Sequence, residues 1–243
     1  MLDFDIRTAD EHPELIPRIA KLSRELFPRF IFEGDRAIRD SWDPFLESFP
    51  SYQFALFKDY EMVAAGVTSP LWWDGSSEGL PDRSANLYPR EEGEFNVCCA
   101  LAGLVVPSAQ GKGLSRSILL VMRRIAEQHG FSSLIAPVRP NHKERYPLLP
   151  MKDYIEWRRE DGYLFDPWMR VHERLHASVH RIMPEGVRAE GTVAEWEEWT
   201  GMRFMSSGSY VVPGALTPVE INVEKNEGVY IEPNVWMEHK IPQ

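Results

Sequence analysis

Residues 101–115, LAGLVVPSAQGKGLS, run straight into SRSILLVMRRIAEQHG, and this junction limits the possible folds more than any other stretch of the chain. An apolar, extended segment ends at Val105-Val106-Pro107. A short loop, Gln110-Gly111-Lys112-Gly113, opens an amphipathic run in which Leu114, Ile118, Met122 and Ile125 share one helical face. The first turn of a helix has free backbone N–H groups and the positive end of the helix dipole. Glycine lets a phosphate come close to those groups. The junction therefore predicts a strand, a diphosphate cradle, and a helix over Leu114–His129 closed by Gly130.

The loop departs from the two commonest phosphate patterns. G-x-x-x-x-G-K-[ST] fails because Leu114 follows Gly113. G-x-G-x-x-G fails because Ser115 and Arg116 stand where its later glycine is needed. Gln110-x-x-Gly113-x-Ser115 instead resembles the acyl-coenzyme A (acyl-CoA) loop of the GNAT superfamily of N-acyltransferases. That pattern is Gln or Arg, two residues, Gly, one residue, then Gly or Ala. Ser115 departs at the last position, but it is small and its hydroxyl can donate to a phosphate. The preceding Val105-Val106-Pro107 also resembles the strand end of that family.

The remaining pattern supplies elements in a compatible order. Phe4–Arg7 reads as a short strand, and Asp10 is placed to start a helix that reaches about Leu26. Glu33–Phe49 reads as a second helix, interrupted near Pro44. Tyr52–Lys58 and Met62–Pro70 flank a hairpin turn at Asp59-Tyr60-Glu61. Trp72–Glu94 is a polar loop, too long to be a mere link, opened by Trp72-Trp73, which would wall an acceptor pocket or form a partner patch. Phe95–Val106 is the central strand, and Leu134–Val138 a buried one. A short helix near Met151–Arg159 and a strand near Trp168–Leu175 follow.

The order β-α-α-β-β-β-α-β resembles the GNAT core. The expected fold is α+β: a mixed, mostly antiparallel sheet flanked by helices, with the sheet splayed beside its central strand. This core is expected over 1–178. Residues 179–243 hold a capping box at Thr192–Glu195 and short strands at Tyr210–Val212, Glu220–Val223, Val229–Ile231 and Val235–Glu238. They read as a β-rich C-terminal extension packed on the core or on a second subunit, which makes a homodimer an expectation.

Charge narrows the partners. The formal net charge is −10 with no basic cluster, which argues against nucleic acid as a partner. No segment approaches the ~20 apolar residues of a membrane span, and the N-terminus lacks the apolar stretch of a signal peptide. The two cysteines, Cys98 and Cys99, are adjacent and cannot form a structural disulfide within one strand. A soluble cytoplasmic protein is expected.

The resemblance implies an acyltransferase that moves an acetyl or other acyl group from acyl-CoA to a small-molecule amine, by direct transfer in a ternary complex. Gly111 and Gly113 would hold the diphosphate of acetyl-CoA or another acyl-CoA, with Lys112 and Arg116 near its charge and Gln110, Leu114 and Ser115 completing the loop. Leu104, Val105 and Val106 would pair with the amides of the pantetheine arm, and Asn141 would bond the arm from the next strand. A backbone N–H near Val105 would serve the oxyanion. For the base, Glu92 and Glu94 precede the central strand; for the acid, Tyr154 and Tyr146 both follow Asn141, with Tyr154 on the expected helix. His172, His176 and His180 recur every four residues without a clear carboxylate partner and read as surface histidines rather than a metal site. Cys98 or Cys99 with His142 is a less favoured nucleophile, since free cysteine in an apolar strand usually packs. A different class of reading keeps the fold without chemistry: a non-catalytic acyl-CoA sensor or accessory protein. A third is an unrelated nucleotide-binding protein.

Overall fold

A computed structural model describes residues 4–89, 91 and 93–242. Within these residues nine strands form one sheet: β1 (Asp5–Thr8), β2 (Gln53–Lys58), β3 (Glu61–Leu71), β4 (Val97–Val105), β5 (Ser133–Val138), β6 (Ser178–Gly191), β7 (Gly208–Tyr210), β8 (Val219–Asn222) and β9 (Glu227–Lys240). Among the described residues seven α-helices flank it: α1 (Leu15–Leu26), α2 (Arg29–Gly34), α3 (Arg36–Ser48), α4 (Leu114–Gln128), α5 (Met151–Tyr154), α6 (Pro167–Arg174) and α7 (Val193–Thr200). The strand order is β1-β2-β3-β4-β5-β9-β8-β7, and β6 also pairs with β9.

Local chemistry explains most of these elements. Asp59 and Tyr60 both take positive φ, as a two-residue hairpin turn between β2 and β3 requires. Leu114, Ile118, Met122 and Ile125 are all buried on one stripe of α4, which packs against β3, β4 and β5. Burying each such side chain contributes about 1.5–3 kcal/mol. Asp35 separates α2 from α3 and caps α3, its carboxylate accepting from Ala37 N and Ile38 N. The same carboxylate accepts from Arg188 N on β6, at 2.8 Å, and so ties the helical pair to the C-terminal strands.

The sheet is antiparallel except at its centre. There β4 and β5 run parallel and pair only through Cys98↔Leu134 and Cys99↔Ile135. Beyond Cys99 and Ile135 the two strands part. A register shift against β3, where Val67 faces Ala102 and Thr68 faces Ala100, leaves Leu101 as an extra residue at the point of parting. The expected α+β architecture with a splayed centre is the observed one.

Several details differ from expectation. Residues 168–175 are helical, not extended: Asp166 accepts from Trp168 N and Met169 N, and Pro167 occupies the first helical turn. The helix at 151 is a single turn ending at Tyr154 rather than at Arg159. Val229–Ile231 and Val235–Glu238 belong to one strand, β9, which is hydrogen-bonded directly to β5 from Ser133↔Lys240 to Val138↔Val235. The long β6, absent from the sequence reading, runs along the other side of β9.

Candidate active site

The gap between β4 and β5 opens into a cavity of about 560 Å³. Gly103, Leu104 and Val105 of β4 form one wall, and Ala136, Pro137 and Val138 of β5 form another. Gln110, Gly111, Gly113, Leu114 and Ser115 close one end, where α4 begins. Gly111 and Gly113 have φ of 76° and 77°, a left-handed conformation in which a side chain is strained. Gly113 is the N-cap residue, so no side chain caps the helix, and no acidic residue lies in its first turn. The positive end of α4 is therefore uncompensated at the mouth of a cavity, the arrangement that favours an anion.

Of the residues expected to hold acyl-CoA, Leu104, Val105, Gln110, Gly111, Gly113, Leu114, Ser115 and Asn141 line this one cavity. Val106, Lys112 and Arg116 do not. Val106 N donates to Val63 O, so it continues the β3–β4 ladder. The Lys112 ammonium turns back to Ser108 O at 3.1 Å. Arg116 faces a separate surface groove with Arg123, Arg124 and Glu127.

The expected acids and bases are not brought to the cavity. Glu94 is exposed ahead of β4 and is not part of the lining. Glu92 lies outside the described residues. Tyr154 is buried, and its hydroxyl donates to Asp166 Oδ2 at 2.9 Å. Burial, followed by the neighbouring Asp166 charge, pushes its pKa far above the usual phenol value. Tyr146 joins Tyr154, Trp157 and Phe165 in an aromatic cluster, and neither tyrosine lines the cavity. Cys98 and Cys99 are free but buried, and burial pushes both thiols up, Cys98 to about 12. They are thiols at neutral pH, not nucleophilic thiolates.

The three histidines separate. His172 lies on α6 and lines the cavity. His176 closes α6 with a φ of 66°. His180 Nε2 sits 2.8 Å from Glu238 Oε2 on β6 and β9. Among the described residues no cluster of three or more His, Cys, Asp or Glu is arranged to hold a metal ion.

Other lining residues went unread in the sequence. The lining also includes Phe32, Trp42, Tyr88, Glu232 and Asn234, with Ser84 and Leu87 from the long loop. The loop is held by Ser69 Oγ donating to Leu87 O and by Trp236 Nε1 donating to Pro81 O. Trp73 packs inside it, with its N–H bonded to Asn96 Oδ1, while Trp72 is exposed. Glu232 is fully buried and held by Arg139 and by the Tyr230 hydroxyl. Two buried lining side chains have a polar atom without a hydrogen-bond partner: Trp42 at Nε1 and His172 at Nε2. Such atoms cost free energy unless a ligand meets them. The sequence signal for His172 was present in Asp166-Pro167: a cap followed by proline starts a helix, which puts Trp168 and His172 one turn apart on one face.

No protein-family model matches the chain. Across 98% of its length it is 26% identical to an arginine N-acetyltransferase, avaD, of Aspergillus versicolor, covering 94% of that protein. Among solved structures it is similar to the loading GNATL domain of CurA from Lyngbya majuscula, with a TM-score of 0.60, 16% identity and 98% of each chain covered. It is similar to the same degree, with a TM-score of 0.60, to a GNAT-like decarboxylase, GphF, solved with isobutyryl-CoA. There the identity is 15%, over 98% of this chain and 100% of that one.

Proposed function

We propose that this chain, which has the fold of the GNAT superfamily, transfers an acyl group from acyl-CoA directly to a primary amine. The observation that carries the reading is the uncapped N-terminus of α4, set by two left-handed glycines at the mouth of the β4–β5 gap. The diphosphate of acyl-CoA fits this end, where free N–H groups and the helix dipole favour negative charge. The pantetheine arm fits the gap, because β4 past Cys99 and β5 past Ile135 have no ladder partner between them. Its amides supply the hydrogen bonds that a further strand would supply.

The full-length likeness to an arginine N-acetyltransferase makes acetyl-CoA the first donor and arginine the first acceptor to assay. The aromatic part of the lining suits an amino-acid amine. Trp42 Nε1 can donate to a carboxylate, and aromatic faces at Phe32, Trp42 and Tyr88 can pack against a guanidinium. Among the described residues no helix is long and apolar enough to cross a membrane. The two unpaired, buried cysteines agree with work in a reducing compartment, and we place the activity in the cytoplasm.

Ser115→Glu tests the reading at the helix end. An acidic side chain in the first turn suits the helix dipole, so the fold is retained. The same charge repels the diphosphate. Calorimetry should show the affinity for acetyl-CoA falling by at least ~10-fold, a free-energy loss of about 1.4 kcal/mol, with Tm unchanged or raised. Unaltered affinity would show that the diphosphate does not sit there.

A further inference from the structure

We propose that His172 and His239 form the proton relay of this site, with Nε2 of His172 exchanging the proton with the reacting groups. The inference rests on the acyl-transfer reading and names the group that the expected tyrosines and glutamates fail to supply.

The geometry is specific. His172 Nδ1 and His239 Nε2 are 2.9 Å apart, and both rings are buried. One proton is shared between these two nitrogens, so one ring donates and the other accepts. The outer nitrogens, His172 Nε2 and His239 Nδ1, have no hydrogen-bond partner. Because Nδ1 of His172 is turned to His239, Nε2 is the nitrogen of this cavity-lining ring left without a partner. The relay requires His239 Nε2 as the acceptor, so that His172 Nδ1 carries the shared proton and His172 Nε2 presents a lone pair. In this tautomer His172 is a base.

Its place along the gap is also right. Trp168, one turn before His172, packs over Gly103 of β4. His239 is paired with Leu134, which is itself paired with Cys98. The histidine pair therefore lies over the apex where β4 and β5 part, at the end opposite the cradle. From Cys99 to Val105 an extended strand covers about 20 Å, comparable with an extended pantetheine arm. An arm anchored by its diphosphate at Gly111–Ser115 thus delivers its thioester near His172.

The proton account closes with these two residues. A neutral amine forms a bond to the acyl carbon, and its nitrogen becomes positively charged and strongly acidic. His172 Nε2 takes that proton while His239 holds Nδ1–H. The carbon–sulfur bond breaks, and the imidazolium gives the proton to the leaving thiolate. Acyl-CoA and amine become amide and free thiol, with no other reactant.

The electrostatics suit this cycle. Burial, then the neighbouring His239, holds His172 well below the usual histidine pKa. His239 is held down to about 4, by burial and then by Arg123 on α4, against the opposing field of Glu238 on β9. Both rings are neutral at pH 7, so the base form is populated without deprotonation. The conjugate acid, once formed, is strong enough to protonate a thiolate.

The test combines kinetics with a readout that needs no turnover. His172→Gln should lower kcat with acetyl-CoA and arginine by at least ~100-fold, while acetyl-CoA affinity changes by less than about threefold. His239→Gln keeps an acceptor oxygen for Nδ1–H and should retain kcat within about tenfold; His239→Leu should lose as much as His172→Gln. In wild type the acidic limb of kcat should lie well below pH 6.5. Nitrogen NMR of the ligand-free protein should show His172 as the Nδ1–H tautomer. An active wild type with an unimpaired His172→Gln, or an Nε2–H tautomer at His172, overturns the relay alone. A wild type that binds acetyl-CoA and acylates no amine overturns the transfer reading and the relay with it.

Discussion

Asp166 shows how much of this site depends on one carboxylate. Its Oδ1 accepts from Trp168 N and Met169 N and starts α6; its Oδ2 accepts from His142 N at 2.8 Å and from the Tyr154 hydroxyl. It therefore sets where Trp168 and His172 stand. Tyr154 is one of its supports, its hydroxyl proton given to Asp166. Tyr154→Phe removes one hydrogen bond and should lower stability by about 1 kcal/mol, read by urea denaturation, with kcat unchanged. A kcat loss of ten-fold or more would return Tyr154 to the chemistry. Residue type alone did not show how this group is held. A phenol after the expected strand end fits the acid's job, and only burial against Asp166 shows that its hydroxyl is already used. Gly111 and Gly113 were readable for the opposite reason, because backbone conformation at a strand–helix junction is a local property of sequence.

At the scale of elements, those with strong local signals were found and those shaped by tertiary pairing were not. Helix α7 was fixed by Thr192 and Glu195, whose reciprocal capping box is present, and by Gly201, which ends it with a φ of 67°. Thr192→Ala should cost about 1 kcal/mol. The Thr192 N–H and hydroxyl hold Glu195 below its ordinary 4.5. A carboxylate with a depressed folded pKa stabilises fully above pH 4.5 and loses that contribution as pH falls below it. The stability gap between wild type and Thr192→Ala, measured by thermal denaturation, should therefore narrow below pH 4.5. Strand β6 lacked such a signal. Its pairing with β9 shifts register between Val179 and Arg181 and again between Met183 and Val187, across Pro184-Glu185-Gly186. The shifts break the alternation by which a strand is recognised. Residues 167–174 were misread because a spacing of four, as between His172 and His176, satisfies both periods; the cap and proline decide the matter.

Across the whole molecule, the C-terminal third completes the sheet. Strand β9 gives β5 its long partner, and β6 meets α2 and α3 on the helical side. Phe30 of α2 packs against Trp196 and Tyr230, so distant segments share one aromatic contact. A chain cut after Ala177 leaves β5 with two paired residues and exposes the apolar face of α2. It should show no cooperative thermal transition and no near-ultraviolet circular dichroism, whereas the full chain shows both. A folded fragment would restore the boundary expected from sequence. The same plan bears on recognition. Most sheets guard their outer margins against stray strands; this one keeps bare backbone in its interior, between β4 and β5. That slot measures amide spacing and little else, so any slender diamide of suitable length can enter it. Telling the coenzyme from such impostors falls to the helix end at the doorway, and a guest stripped of its phosphates keeps the seat but loses the handhold.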